Sequence, residues 1–184
     1  VLPTTREQIV TALESVAGEG ARYWGAFDTP VFFEKVGESW SPAESARHLV
    51  KSIRAVVKAL ATPRITLRLL FGKPRRPSVT YEELRTRYLG VLEAGGRAGR
   101  FAPSARTESD LAAWRATILQ QLGDVNRDLC AAIGRWSDTD LDRYQLPHPL
   151  LGKITVREML FFTLYHQHHH MDVTERRRRE QSHS

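Results

Sequence analysis

The chain has 184 residues, 41% hydrophobic and 26% charged, with 27 Lys and Arg against 21 Asp and Glu for a net charge of +6. This suits one domain with a packed core, residues 1–184, and excludes wholesale disorder. No apolar run approaches the roughly 18–20 residues of a membrane span, and the single Cys130 excludes an intramolecular disulfide, a Cys-based zinc site and a thioredoxin-like motif.

Residues 1–6 show no charged region followed by an apolar stretch, so no signal peptide is read and a cytoplasmic location is expected. The first helix opens at Thr4-Thr5-Arg6-Glu7, where Thr4 and Glu7 have the spacing of a capping box. Ile9, Val10, Leu13, Val16, Ala17 and Ala21 then recur at helical spacing up to about Trp24. The second helix opens at Ser41-Pro42-Ala43-Glu44, a Ser cap with Pro at the first position and Glu at the third. Leu49, Ile53, Val56, Val57 and Leu60 form its stripe, and Thr62-Pro63 ends it.

Residues 62–108 form a polar connection containing Gly and Pro, with a shorter helix expected over 80–93 behind a Thr80/Glu83 capping pattern. The third long helix starts near Ser109 and spaces Leu111, Trp114, Ile118, Leu122, Val125, Leu129 and Ile133 three or four apart. The fourth opens at Thr155-Val156-Arg157-Glu158, another capping box, and runs to about Arg178. No segment alternates as a strand should, and no repeat is present. The expected fold is all-α: a four-helix bundle with a longer connection, carrying a short extra helix, between helices two and three.

Four of the positive charges are the arginine run at 176–179, which opens a basic, polar tail over 176–184. Without that run the chain is nearly balanced, and only Lys73, Arg75 and Arg76 form a second small cluster. A nucleic-acid-binding face spreads its basic residues along a helix or groove. The run reads instead as a solvated helix end, with cations at the negative pole of the helix dipole.

Four of the seven histidines lie in Tyr165-His166-Gln167-His168-His169-His170, within the fourth helix. At about 100° per residue, His170 lies about 40° around the helix from His166 and one turn on, and Met159, Phe162 and Val173 fall on the same side. His166 and His170 therefore face the bundle interior, His168 points to solvent, and His169 sits at the far edge of the stripe. Two buried imidazoles need partners for their nitrogens, either hydrogen bonds or a divalent ion. His48, early in helix two, is the best third donor, although it flanks its stripe. His148, between Pro147 and Pro149, is a loop alternative, and His183 in the polar tail is a poor one.

Two stretches resemble a known family. Trp40-Ser41-Pro42-Ala43-Glu44 with His48 four residues on, and His148-Pro149-Leu150-Leu151-Gly152-Lys153-Ile154-Thr155-Val156-Arg157-Glu158 leading to His166, His169 and His170, are similar to the two signatures of the DinB/YfiT-like superfamily. The resemblance spans essentially the whole chain and implies a four-helix bundle with a three-histidine metal site, whose ligands by position are His48, His166 and His170. The extra His168 and His169 depart from the pattern, and His169 could replace or assist a ligand. The resemblance also implies a homodimer and an enzyme of metal-dependent hydrolase or thiol S-transferase type.

Three neutral imidazoles leave the charge of a divalent ion uncompensated and one position open. With zinc, the pKa of water there falls to about 7, and the same position could activate a thiolate. Histidine suits several metals; zinc or nickel stands first, with iron or manganese as alternatives. A zincin peptidase is argued against by Gln167, which stands where the base Glu would be needed. Cys130, beside Leu129 on an interior helix, reads as a small buried thiol, and Glu44 is explained as a cap, so no general base is assigned. Trp40 and Trp136, near helix ends, could face a cleft or a subunit interface, though core packing is the usual fate of Trp. The expected partner is a small molecule rather than nucleic acid or a membrane; the alternative is a non-catalytic metal-binding or stress-related bundle.

Overall fold

Each long helix begins where a side chain closes its first turn. In the computed structural model, which describes residues 2–35, 37, 39–97, 99–103 and 108–182, four long helices form the bundle. They are α1 (Arg6–Gly25), α3 (Pro42–Ala61), α6 (Leu111–Ile133) and α8 (Val156–Ser182). α1 and α3 each pack against both α6 and α8, so the ring runs α1, α6, α3, α8. Ile9, Leu13, Val16 and Trp24 meet Ile118, Leu122, Leu129, Leu49 and Ile53 in one buried core. No helix among the described residues is long and apolar enough to cross a membrane.

The caps differ from expectation at two helix starts. α1 is capped by Thr5, not Thr4: Gln8, rather than Glu7, reaches back to the backbone of Thr4 and Thr5. Glu7 is engaged instead by Arg6. α6 is capped by Asp110, whose carboxylate accepts from the Ala113 N–H at 2.9 Å, so it starts after Ser109. The Ser41/Glu44 box holds as read, with bonds of 2.9 and 3.1 Å. α8 runs on to Ser182, so the arginine run is the end of a helix. Within it Arg178 lies over the Phe27 ring at 4.5 Å and Arg179 pairs with Glu175. Residues 183–184, including His183, lie outside the described residues.

Three short helices were not anticipated: α2 (Thr29–Phe33), α4 (Arg64–Phe71) and α7 (Asp138–Arg143). The connection between α3 and α6 holds α4, the expected short helix α5 (Tyr81–Glu93, capped by Thr80) and a 3-10 turn at Gly99–Phe101. The expectation of no strand also fails. β1 (Gln145–His148) and β2 (Gly152–Thr155) pair antiparallel in a hairpin ahead of α8. Four-residue strands, one containing Pro147, are too short to show alternation, and Gly152 at φ 71° makes the turn back.

From Val156 to Gln167 every residue of α8 is buried. The helix is covered by α1 and α3 on its bundle side and by α5, α7 and the hairpin elsewhere, which buries its polar as well as its apolar side chains over this stretch. Glu158 ties this arrangement together. Its carboxylate is fully buried and accepts from the Thr155 N–H at 2.7 Å, from the Val79 N–H at 2.8 Å and from Arg76. One side chain therefore closes the cap of α8 and anchors the segment that leads into α5. Arg157 does similar work on the other side, bonding Asp142, Asp138 and the carbonyl of Thr4.

Candidate metal centre

His48 lies in the second turn of α3, on a helix start fixed by Ser41 and Pro42, while His166 and His170 come one turn apart from α8. The fold brings their Nε2 atoms together. His166 Nε2 lies 3.1 Å from His48 Nε2 and 3.1 Å from His170 Nε2, and one ligand atom from each ring lies within 4.8 Å of the others. His48 was expected on the flank of its stripe, yet it is only 4% exposed, because the 3-10 turn of the connection folds over it.

Proton counting shows what this cluster fits. The Phe101 carbonyl accepts from His48 Nδ1 at 2.8 Å, so in a neutral ring the Nε2 of His48 carries a lone pair. His166 Nε2 holds either one proton or one lone pair, and cannot make a full hydrogen bond to both neighbours at once. A cation set among three lone pairs satisfies all of them, and three imidazoles suit a divalent ion of the zinc type. The Phe101 carbonyl is the outer partner that sets tautomer and ring orientation in such sites.

Electrostatics point the same way. Burial pushes His166 and His170 well below the ordinary histidine range, and the neighbouring rings push them further. Burial also lowers His48, opposed by its bond to Phe101. All three are thus held neutral, the form that donates a lone pair. Phe162 stacks on His166 with centroids 4.7 Å apart, and Trp40 lies parallel to His170 at 5.9 Å, 3° between planes. Trp40 therefore faces a cleft, whereas Trp136 is buried, its Nε1–H donating to the Leu60 carbonyl.

The cluster opens onto a cavity of about 900 Å³ bounded by α3, α8, β1 and the connection, with Leu67, Tyr88, Leu92, Phe101, Met159 and Phe162 on its wall. Among the described residues, the other histidines lie outside the convergent set. His169 lines the cavity with Nδ1 3.4 Å from the Tyr165 hydroxyl. His168 turns toward Glu19 of α1, 3.8 Å away, and is half-buried. Gln167 is buried, its amide nitrogen without a partner among the described residues. Cys130 is half-buried, and desolvation together with Glu14 pushes its thiol up to about 11, which disfavours the nucleophilic thiolate.

His148 ends β1 instead of lying in a loop, and is buried on the cavity wall. Its Nδ1 accepts from the N–H groups of Leu150 and Leu151 at 3.2 and 3.0 Å, which leaves the proton of the neutral ring on Nε2. Burial pushes its pKa down to about 4. Because the folded state resists the proton that the unfolded chain takes up near pH 6.5, this contribution is complete above pH 6.5 and is lost as pH falls toward 4. Between pH 7 and 5 the loss through this one ring is about 2 kcal/mol. In His148→Asn, whose carbonyl oxygen can still accept from the turn, melting temperature is expected to fall about 4–8 °C less over that interval than in wild type. Equal acid sensitivity of the two proteins would remove His148 from this role.

Residues 5–173 match the profile of a family described as the DinB superfamily. Among solved structures, YfiT from Bacillus subtilis, described as a probable metal-dependent hydrolase with an unusual four-helix bundle topology, superposes with a TM-score of 0.59 at 15% identity over 96% of this chain and 87% of that chain. The colibactin self-resistance protein ClbS, solved in complex with a dsDNA, gives a TM-score of 0.49 at 15% identity over 99% of this chain and 98% of that chain. No curated protein matches the chain. At this identity the likeness to YfiT is one of fold: the four-helix bundle.

Proposed function

The chain belongs to the DinB superfamily, and from that premise we propose that it is a divalent-metal-dependent enzyme of hydrolase or thiol S-transferase type, acting on a small molecule in the cavity beside His48, His166 and His170. The observation that carries this reading is the meeting of three neutral Nε2 atoms, two on buried rings and one on the half-buried His170, that one proton cannot satisfy. Zinc or nickel suits this donor set best. Bound there, the ion supplies Lewis acidity at an open coordination position, lowering the pKa of water or of a thiol into the neutral range.

The protein side chains do the rest. His48 is oriented by the Phe101 carbonyl, His166 is braced by Phe162 and His170 by Trp40. No carboxylate lines the cavity among the described residues, and Glu44 is engaged as the cap of α3. His169 lies on the wall outside the proposed ligand set and is the candidate proton acceptor there; burial keeps its ring neutral, which leaves a lone pair free but weakens it as a base.

Elemental analysis of untagged protein tests the reading, wild type beside His48→Ala, His166→Ala and His170→Ala. About one metal per chain is expected in wild type and well under a tenth of that in each variant, since every ligand lost removes a third of the donor set. Wild-type turnover of ester substrates or of thiol–electrophile pairs should depend on the same three histidines. Full metal retention in the variants would reject the site; a loaded but silent protein across both substrate panels would leave a metal-binding bundle without catalysis.

A further inference from the structure

The chain carries 21 Asp and Glu, yet among the described residues none lies on the cavity wall, while Lys58, Arg97, Arg100 and Arg177 all do. We propose that the cavity selects amphiphilic anions, small molecules with an acidic head group and an apolar body, a substrate class that rests on the metal-site reading above and narrows it. None of the four cations is ion-paired among the described residues, although other exposed arginines such as Arg85 and Arg127 are. All four are exposed, at the rim rather than in the core.

Three of them stand at the histidine end. Arg177 follows His170 by seven residues on α8, which sets it on the same face about 10 Å further along, and its charge reaches the His170 ring. Arg100 adjoins Phe101, whose carbonyl holds His48, and Arg97 precedes it by three residues in the same segment. Away from this end the wall is mostly apolar, with Val56, Leu67, Phe71, Leu146 and Met159, and Lys58 is the one cation there among the described residues. The histidines add no negative charge, and a bound ion adds two positive ones. Low-dielectric walls lined by one sign of charge focus the field on the mouth and draw in the opposite sign. An anion near His170 and Arg177, with its apolar part toward α4 and β1, uses both halves of the cavity, whose volume of about 900 Å³ suits a ligand of drug-like size.

The test compares two fluorescent probes that share one ring system, 8-anilinonaphthalene-1-sulfonate and the uncharged N-phenyl-1-naphthylamine, on the zinc-supplemented full chain. The sulfonate should bind at least about tenfold more tightly at low salt, with the preference shrinking as salt screens the rim. Arg97→Gln/Arg100→Gln/Arg177→Gln should cut the preference several-fold, leaving what Lys58 and the ion supply, and the corresponding triple Lys variant should keep most of it. Leu69→Ser, on an exposed part of α4 outside the cavity, should change nothing. Equal affinity for the two probes, a preference undiminished in the triple Gln variant, or binding lost in Leu69→Ser would each overturn the proposal. Zinc content measured on the same samples separates the two ideas. An Arg-dependent preference without zinc sinks the metal reading alone, and bound zinc without the preference sinks this one alone.

Discussion

Glu158→Ala is expected to destabilise the protein by about 3–4 kcal/mol, a fall in melting temperature of roughly 6–16 °C for a chain of this size. The carboxylate has no exposed surface, and its removal strips the cap of α8 and leaves the Thr155 and Val79 N–H groups without their acceptor. Loss of a cap costs about 1 kcal/mol, and each orphaned buried donor about 1–3 kcal/mol. Arg76 adds little, because at 41% exposure it regains water when its partner is gone. The damage should also be local: releasing Val79 frees the segment that positions α5, and with it Tyr88 and Leu92 on the cavity wall. Limited proteolysis should therefore cut near residues 72–80 in the variant well before it cuts wild type. Glu83→Ala removes an equivalent but exposed cap from α5 and should lower the melting temperature by no more than roughly 2–4 °C. Thermal melts within about 3 °C of one another for Glu158→Ala and Glu83→Ala would show that the buried carboxylate does not brace the connection.

Zinc at a hundred times its dissociation constant should stabilise the wild-type chain by about 2.7 kcal/mol, a rise in melting temperature of roughly 5–10 °C. His166→Phe should abolish that rise, because His166 Nε2 is the atom both other rings approach. The informative comparison is without metal. There the variant should be as stable as wild type or more so, since a phenyl ring of similar volume stacks on Phe162 and removes a buried nitrogen that cannot be fully satisfied. A polar cluster that earned its place through hydrogen bonds alone would behave oppositely: His166→Phe would destabilise the metal-free chain, and zinc would shift neither protein.

The long helices were legible because each combines a capping residue with an apolar period near 3.6, as Ser41/Glu44 and Leu49, Ile53 and Leu60 do in α3. The His166/His170 pair was legible for the same reason, as two donors one turn apart on an inward face. His48 was harder, since its burial depends on a turn over 50 residues away that carries no periodic signal. Phe101 could not be found at all, because what it contributes is a backbone carbonyl, and any residue type has one. The hairpin was hidden by its brevity and by Pro147. Glu158 was recognised as a cap, but its bonds to Val79 and Arg76 depend on the tertiary path of the connection. The cavity's charge is of the same kind: the absence of acidic side chains around a volume becomes visible only once the chain is folded around it.

The hydrogen bond from His48 Nδ1 to the Phe101 carbonyl ties the connection between α3 and α6 to the proposed metal site, so that the two would act as a single thermodynamic unit. An ion drawing electron density through the imidazole makes the Nδ1 proton more acidic and strengthens its hold on the carbonyl. By reciprocity, whatever orders the Gly99–Phe101 turn tightens the grip on the ion by the same factor. Grafting a new sequence into this segment to change what the cavity accepts would therefore also retune metal affinity, so selectivity and cofactor retention cannot be redesigned independently.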